Sequence, residues 1–521
     1  MNHIELFAGC GGLSLGLERE GFELTLANEL SPMAGETFAY NFLKEDLAEL
    51  AEKGRKNEKV FWLSSRYSEL SKRLRENPFE YPDLNEGKSD IPHDPQQLKG
   101  KLLIGNIIHL NQLLGSNAKL RRALKTGFGS QEVDLVSGGP PCQSFSLAGL
   151  RKRDCDKNTL PWEFANFVEH IQPKVVVLEN VAGILRAFKE DGVSYYAWFE
   201  IAKVFAEKGY VPLCLHINAR LAGVPQNRPR FIMIGIRKNI YQKLSKRLND
   251  TEKVLLAPSE KLFKAVNSGE PIQYGEFPYY DAQRGKDLGF FKKTFLKPLV
   301  ESDEVSVEQA IGDIKFTNPS SKSKFVRELN SLFKKHLEGQ SDFHNHEPRN
   351  NNELVKRRFR IYQVIQRCGK SVAKEVFSIL RHESQVLSDS CWQALKEHKY
   401  LLENGEYVEF EKRESLVDYL SKHPTKKQTQ KALNAFLPAP AALSIPDDAC
   451  HYDDHELRTL TVREMARIQS FPDNFVFRSK VTTGGRMRRF EVPQYTQVGN
   501  AVPPLLGLAI GKSIKNMLGK L

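Results

Sequence analysis

Apolar and polar positions alternate regularly over the first 236 residues of the chain. Short apolar runs, typical of buried parallel strands, are separated by stretches in which apolar residues have helical spacing. The predicted strands cover residues 4–7, 24–27, 102–108, 133–136, 174–178 and 231–236, and the predicted helices start near 13, 159 and 196. This alternation predicts a doubly wound α/β sheet, in which ligands bind beyond the carboxyl ends of the strands.

The first predicted turn is rich in glycine and leads from a strand into a helix at residues 8–12. Glu29 follows about 20 residues later, at the end of the second strand, where a carboxylate can accept hydrogen bonds from both ribose hydroxyls of a nucleoside. Ser14 stands where a dinucleotide-binding turn has its third glycine. The turn therefore favours a nucleoside ligand without a pyrophosphate over NAD.

A second loop, within VDLVSGGPPCQSFSLAG at residues 133–149, carries Cys142. Pro140 and Pro141 fix φ before the cysteine, and the preceding glycines allow close approach of a ligand, so the thiol is held in one place. A lone cysteine is more often a small buried apolar residue. Here Glu179 ends the next strand at the same predicted sheet edge, and the pair indicates a nucleophile beside an acid.

The sequence predicts three regions. Residues 1–237 form the catalytic domain, interrupted by a charged surface insertion of helical character at 44–101. Regularity is lost over 238–457, where aromatic and basic residues mix, and this region is predicted to be a separate domain. Residues 458–521 return to the first domain through a capping box that starts at Thr461 and an apolar final helix.

Charge and composition narrow the class of protein. Among 521 residues, 76 lysines and arginines against 64 acids give a net charge of +12 and a pI near 9.1, which suits a polyanionic partner. The basic segment 150–157 would suit a flap over a phosphate backbone. No apolar run could span a membrane and no secretion signal is evident, so we expect a soluble, unsecreted protein. Seven cysteines without C-x-x-C spacing indicate neither a disulfide framework nor a metal site.

These groups suit covalent catalysis on an electron-poor ring. Addition of the Cys142 thiolate to carbon 6 of cytosine would let carbon 5 attack a methyl sulfonium. Glu179, if burial favours its protonated form, could protonate or hydrogen-bond ring nitrogen 3 and the exocyclic amine, and Arg230 could hold the oxygen at carbon 2. No residue is predicted to remove the carbon 5 proton, for which water is a candidate. In a duplex the base must flip out, at a cost of a few kcal/mol that phosphate and base contacts would offset.

Six motifs, in one order, closely resemble those of the DNA (cytosine-5-)-methyltransferases. They are FAGCGG at 7–12, GPPCQS at 139–144, ENV at 179–181, QNRPR at 226–230, REMAR at 463–467 and GNAVP at 499–503. The resemblance implies a Rossmann-like methyltransferase domain at residues 1–237 and 458–521, with a second, smaller DNA-recognition domain at 238–457. It also implies that Cys142 is the nucleophile, Glu179 the acid at nitrogen 3 and Arg230 the oxygen contact, with Arg228 in support.

The same resemblance implies an S-adenosylmethionine site. Its expected residues are Phe7, Ala8, Gly9, Gly11, Gly12, Glu29, Asn106, Ile107, Pro140, Leu160, Asn500 and Ala501. The family usually has an acid that accepts from the adenine amine at the end of the third strand, where this chain has Asn106. Because the Asn106 carbonyl can still accept a hydrogen bond, we expect weaker or rearranged adenine recognition and not loss of the cofactor.

The main hypothesis is a cytoplasmic DNA cytosine-5 methyltransferase of a bacterial restriction-modification system, acting as a monomer on double-stranded DNA beside a cognate endonuclease. The same chemistry on RNA is a close alternative, disfavoured by the large basic recognition region. A silent nucleic-acid-binding module is disfavoured because the thiol and the acid are both present. A thiol hydrolase would need a distant histidine such as His216. The recognised DNA sequence is not predicted.

Overall fold

The computed structural model describes residues 1–129, 131–141, 159–190, 193–337, 343–427, 430–441 and 445–521. Cys142, the predicted nucleophile, and the predicted basic flap at 150–157 both lie outside these ranges.

Fifteen strands occur in the described residues, nine of them in one sheet. They are β1 (Asn2–Leu6), β2 (Glu23–Glu29), β3 (Val60–Trp62), β4 (Lys101–Ile104), β5 (Leu135–Gly138), β6 (Val175–Val181), β7 (Phe188–Glu190), β8 (Val193–Tyr195), β9 (Tyr210–Asn218), β10 (Pro229–Arg237), β11 (Tyr280–Asp281), β12 (Tyr400–Leu401), β13 (Tyr407–Val408), β14 (Lys431–Ala432) and β15 (Ala449–Cys450).

Twenty α-helices accompany the strands in the same part of the chain. They are α1 (Gly12–Arg19), α2 (Pro32–Phe38), α3 (Leu47–Glu52), α4 (Leu70–Arg73), α5 (Ile107–Ser116), α6 (Ala118–Lys125), α7 (Leu160–Ile171), α8 (Ala197–Glu207), α9 (Lys238–Leu244), α10 (Asp250–Ser268), α11 (Gly285–Lys292), α12 (Val307–Ile311), α13 (Lys324–Phe333), α14 (Glu353–Cys368), α15 (Lys370–Leu380), α16 (Asp389–Leu395), α17 (Arg413–Ser421), α18 (Val462–Ile468), α19 (Gln494–Asn500) and α20 (Pro504–Leu518).

The large sheet has the strand order β11-β9-β10-β6-β5-β1-β2-β4-β3, and β10 alone runs antiparallel to its neighbours. The register places Leu6 opposite both Gly138 and Asn28, and Gly138 opposite Leu178. The carboxyl ends of four adjacent parallel strands therefore meet at one edge of the sheet. The predicted nucleoside turn and the cysteine loop both start at that edge, and the predicted acid, Glu179, lies beside them near the end of β6.

Helices cover both faces of the sheet, which confirms the doubly wound α/β fold. On one face α5, α7 and α8 bury Leu110, Phe164 and Phe205. On the other face α1 and α20 pack together so closely that a Cβ on Gly16 would lie 2.3 Å from the backbone nitrogen of Leu508. The final helix of the chain thus packs against its first helix.

Three strands of the sheet were absent from the sequence prediction. β3 lies inside the predicted insertion 44–101 and pairs with β4, so the expectation of a purely helical surface excursion is wrong there. Its Trp62 is fully buried beneath the guanidinium of Arg73. β9 and β11 extend the opposite end of the sheet, beyond β10.

Residues 238–457 contribute to more than one apolar cluster. Ile240, Leu255 and Phe291, on α9, α10 and α11, join the apolar cluster beneath the large sheet. A separate apolar cluster is built by α14, α15, α16 and α17, around Tyr362 and Leu416. The first part of the predicted recognition region therefore packs against the large sheet. The domain boundary at residue 237 stays a prediction.

Candidate active site

An acid and an arginine form a buried ion pair at the carboxyl edge of the sheet. Arg230 Nε donates a hydrogen bond to Glu179 Oε1 at 2.7 Å, and both side chains are about nine-tenths buried. They come from adjacent antiparallel strands, in which Arg230 lies opposite Val181. Burial lowers the pKa of Arg230, and the negative charge of Glu179 opposes this shift. Each charge compensates the other in a site that shields both from water.

The pair lies against the start of the cysteine loop. A Cβ on Gly139 would lie 2.9 Å from Glu179 Oε2. Any larger residue at this position would therefore displace the carboxylate oxygen. The next strand residue, Asn180, donates from Nδ2 to the Pro140 carbonyl at 3.0 Å. Consecutive residues of β6 thus supply the acid and hold the loop backbone, in which Pro140 is buried.

Glu29 organises the glycine turn at the end of β1. Its Oε2 accepts from the Gly9 N–H and its Oε1 from the Ser31 N–H, both at 2.8 Å. Burial raises the pKa of Glu29, and these backbone hydrogen bonds oppose the shift. Because each carboxylate oxygen can accept more than one hydrogen bond, both remain able to accept from a ribose.

The glycine turn needs its glycines for two different reasons. Phe7, Gly9 and Gly11 all have positive φ, at 53°, 56° and 94°. A Cβ on Gly11 would lie 2.2 Å from the ring of Phe42, and one on Gly12 would lie 2.2 Å from the Val502 carbonyl. A Cβ on Gly9 would meet no atom within 4 Å. The turn is thus closely packed on the side of α1 and open at Gly9, above Glu29.

Asn106, the predicted adenine contact, is the N-cap of α5. Its Oδ1 accepts from the Ile108 N–H at 3.0 Å, while the neighbouring Ile107 is buried. Asn28 anchors the same strand end by donating from Nδ2 to the Leu103 and Gly105 carbonyls, both at 3.1 Å. The Asn106 amide oxygen therefore already has one partner and retains one further acceptor position.

The remaining predicted cofactor residues lie in the glycine turn, at the start of α7 and at the end of α19. Ala8 is buried in the glycine turn, and its N–H donates to the Asn28 carbonyl at 3.0 Å. Leu160 begins α7 and is partly buried, and the Phe7 ring stacks on Phe164 of that helix. Asn500 ends α19 as an exposed residue, followed by half-buried Ala501.

Arg228 joins the motif at the start of β10 to the motif at the end of α19. Its guanidinium donates to the carbonyls of Gly499 at 2.8 Å and Ala501 at 3.0 Å, and the side chain is buried. Burial lowers the pKa of Arg228 well below its usual range. Asn218 fixes the Arg228 backbone by accepting from its N–H at 2.9 Å. The sequence does not predict the Asn218 contact, because it does not predict β9, which carries Asn218.

The motif at 463–467 lies on a buried helix. Thr461 and Glu464 form the predicted capping box, and Arg463, Glu464 and Arg467 are fully buried, so the alternative of a surface helix face is wrong. Arg463 donates to three backbone carbonyls, including that of Phe475 at 2.6 Å, and burial lowers its pKa to about 10. Arg467 pairs with both oxygens of Asp473. These arginines hold the segment that precedes α19.

His216, named as a distant partner for a thiol, is paired elsewhere. Its Nδ1 lies 3.0 Å from Asp281 Oδ2, across the β9–β11 contact. In the described ranges no cluster of three or more histidine, cysteine or acidic side chains could hold a metal ion. Within those same ranges no helix is long and apolar enough to cross a membrane.

The doubly wound sheet, with Glu29 at the glycine turn and the Glu179–Arg230 pair at its carboxyl edge, defines a Rossmann-like α/β fold. Comparison with known proteins gives the family. Residues 1–60 and 115–516 match the family model described as C-5 cytosine-specific DNA methylase. The unmatched residues 61–114 include much of the segment 44–101.

Two similar proteins span nearly the whole chain. Type II methyltransferase M.DdeI of Desulfomicrobium norvegicum is 26% identical over 522 residues, covering 99% of this chain and 88% of that protein. Type II methyltransferase M.Bpa9945I of Bacillus paralicheniformis is 27% identical over 549 residues, covering 99% and 98%. With the family model matching most of its residues, the chain belongs to the C-5 cytosine-specific DNA methylase family and is a DNA cytosine-5-methyltransferase. This assignment favours the DNA enzyme over the RNA, silent-module and hydrolase alternatives.

Proposed function

We propose that this enzyme methylates carbon 5 of a cytosine flipped out of double-stranded DNA, through a covalent bond to Cys142. The observation that carries the proposal is the buried Glu179–Arg230 pair, with Glu179 Oε2 against Gly139 at the start of the cysteine loop. An acid, a cation and a loop that bears a thiol converge there on one sheet edge. Such a site can bind the polar edge of a pyrimidine.

Each group has one role in the proposed reaction. The Cys142 thiolate adds to carbon 6, and the resulting electron-rich carbon 5 takes the methyl group. Glu179 hydrogen-bonds ring nitrogen 3 and the exocyclic amine as electron density moves there, and Arg230 holds the oxygen at carbon 2. A base, for which water is a candidate, then removes the carbon 5 proton, and the carbon–sulfur bond breaks to release the thiolate.

The methyl donor in this proposal is S-adenosylmethionine, whose sulfonium supplies an electrophilic methyl group. Glu29 would accept hydrogen bonds from the ribose, and the open space at Gly9 leaves room for the ligand beside it. Asn106 would meet the adenine with the acceptor position that its helix cap leaves free. Phe7, Pro140, Leu160, Asn500 and Ala501 would complete the walls of the site.

The biological setting is proposed from the relatives. M.DdeI and M.Bpa9945I are named type II methyltransferases, which supports a bacterial restriction-modification role for this chain. In that role it would protect a sequence of host DNA from a cognate endonuclease in the cytoplasm. A net charge of +12 favours phosphate contacts with a duplex, and we propose that one copy acts on each site.

Trapping the covalent step tests this function. The enzyme is incubated with S-adenosylmethionine and mixed-sequence duplex DNA containing 5-fluorocytosine, then separated on a denaturing gel. Because fluorine cannot leave as a cation, the thiol adduct should persist in wild type and be absent from Cys142→Ser. Sequencing the trapped DNA gives the recognised site.

Cys368→Ser is the matched control, since this half-buried thiol lies on α14 and has no proposed role. It should form the adduct as wild type does. A folded wild-type enzyme that forms no adduct on any mixed-sequence DNA would contradict the proposed function, as would an adduct that survives in Cys142→Ser.

A further inference from the structure

Phe436 has the most exposed large apolar side chain in the described part of the chain. It is 85% exposed and its neighbour Leu437 is 55% exposed, whereas Leu433 and Ala439 on either side are buried. A single exposed apolar side chain is common on folded proteins and carries no meaning alone. Here two adjacent apolar side chains, Phe436 and Leu437, are exposed at the tip of a turn, and buried residues lie on both sides of them.

Hydrogen bonds fix the backbone of this turn. Asn434 Oδ1 accepts from the N–H two residues further on, at 2.9 Å. The first two residues of α12, Val307 and Glu308, donate their N–H groups to the carbonyls of Leu437 at 3.0 Å and Ala435 at 2.9 Å. N–H groups at the start of a helix have no partner within the helix, so the turn satisfies them. The exposed side chains therefore project from a fixed position.

The turn is attached directly to the candidate active site. Ala439 forms a bridge with Gln226, donates its N–H to the Pro225 carbonyl at 2.9 Å and accepts from the Asn227 N–H at 2.7 Å. This segment leads into β10, which presents Arg230. Phe436 thus stands three residues from a backbone contact with the catalytic motif.

We propose that Phe436, supported by Leu437, inserts into the base stack of bound DNA and fills the space left by the target cytosine. The inference rests on the proposed function, because it requires that the cytosine leave the helix. Proteins that distort DNA commonly insert apolar side chains between base steps. The gap left by a flipped base is bounded by flat aromatic faces, on which a phenyl ring can stack.

This role makes a prediction that depends on the substrate. Single-turnover methyl transfer is measured on two duplexes that carry the site, with guanine or with mismatched adenine opposite the target cytosine. Phe436→Ala should slow the reaction about ten- to hundredfold on the paired duplex, the range expected for loss of base stacking. On the mismatched duplex the loss should be less than about threefold, because a mismatched base leaves the stack more easily.

Two variants serve as controls. Phe436→Trp keeps a flat ring and should react on both duplexes as wild type does. Phe79→Ala removes another phenylalanine, 54% exposed, from the segment after edge strand β3, and should leave both rates unchanged. Equal losses on the two duplexes with Phe436→Ala, or no loss on the paired one, would overturn the inference. The 5-fluorocytosine adduct of the wild type separates this failure from failure of the proposed function, which would remove the adduct itself.

Discussion

The guanidinium of Arg228 donates a hydrogen bond to the carbonyl oxygen of Gly499 at 2.8 Å, across 271 residues of sequence. A second bond, to the Ala501 carbonyl, makes the arginine a clamp on the backbone at the end of α19. Since Val502 of that segment packs over Gly12, the clamp connects the Arg230 side of the edge with the predicted cofactor turn.

Loss of this clamp should destabilise the protein. Arg228→Met would leave the carbonyls of Gly499 and Ala501 without their donor, and an unsatisfied buried polar group costs about 1–3 kcal/mol. We expect the free energy of unfolding, measured in urea, to fall by about 2–4 kcal/mol, with weaker cofactor binding. The control Arg220→Met breaks a partly exposed pair with Glu304 and should cost no more than about 1 kcal/mol. Equal losses in the two variants would refute the clamp.

Gly139→Ala should affect activity more than stability. The new Cβ would lie 2.9 Å from Glu179 Oε2, so the carboxylate must move away from its present position. A displacement of about 1 Å in a catalytic group can cost about a hundredfold in rate, and we expect a fall in kcat of at least about tenfold. Gly115→Ala, at a helical glycine where a Cβ meets nothing within 4 Å, is the control and should keep full activity. An unchanged kcat in Gly139→Ala would contradict the placement of Glu179.

Glu29→Gln should weaken S-adenosylmethionine binding. The amide can present only one oxygen where the carboxylate has two, so its NH₂ group would face either the Gly9 or the Ser31 N–H. Loss of a charged acceptor corresponds to about 1.5–3 kcal/mol, and we expect the Kd from titration calorimetry to rise about ten- to hundredfold. Glu23→Gln, at the exposed start of the same strand, should bind as wild type does. If Glu29→Gln bound S-adenosylmethionine as tightly as wild type, the proposed contact of Glu29 with the cofactor would be wrong.

Glu5 should make stability depend on pH. Burial in β1 raises its pKa to about 8, although Ser14 donates a hydrogen bond to it. Between the unfolded pKa near 4.5 and the folded value near 8, the unfolded chain releases this proton while the folded protein keeps it, so stability falls as pH rises. Glu5→Gln should therefore gain unfolding free energy over wild type as pH rises from 5 to 8, by up to a few kcal/mol. A constant difference across that range in urea titrations would contradict the raised pKa.

The sequence predicts the sheet where its strands are short runs of mainly apolar residues. β1, β2, β5, β6 and β10 are buried on both faces, and such strands have an almost continuous apolar pattern. β3 and β11 have only three and two residues and no periodicity to detect. β9 is longer, but Pro212 near its start and polar His216 near its end interrupt the pattern.

Part of the candidate site could be predicted because it lies at the ends of the predicted strands. The carboxyl ends of parallel strands meet at one edge, so Glu29 and Glu179 could be placed there from strand order alone. The contact of Arg228 with Gly499 could not, because its acceptors are backbone carbonyls, which leave no mark in the side-chain pattern. Asn106 shows the same limit, since its role as the cap of α5 depends on where that helix starts.

The packing of α20 on α1 has a consequence for how the enzyme is made. The partner that covers Gly16 is synthesised roughly 490 residues later, so the first helix leaves the ribosome with an apolar face exposed. At a translation rate of about 5–20 residues per second, this apolar face stays exposed for about 25 to 100 s before α20 is synthesised. Until then Val502 cannot close over Gly12, so a nascent chain should neither hold its cofactor nor methylate DNA. Chaperones have that interval in which to bind it.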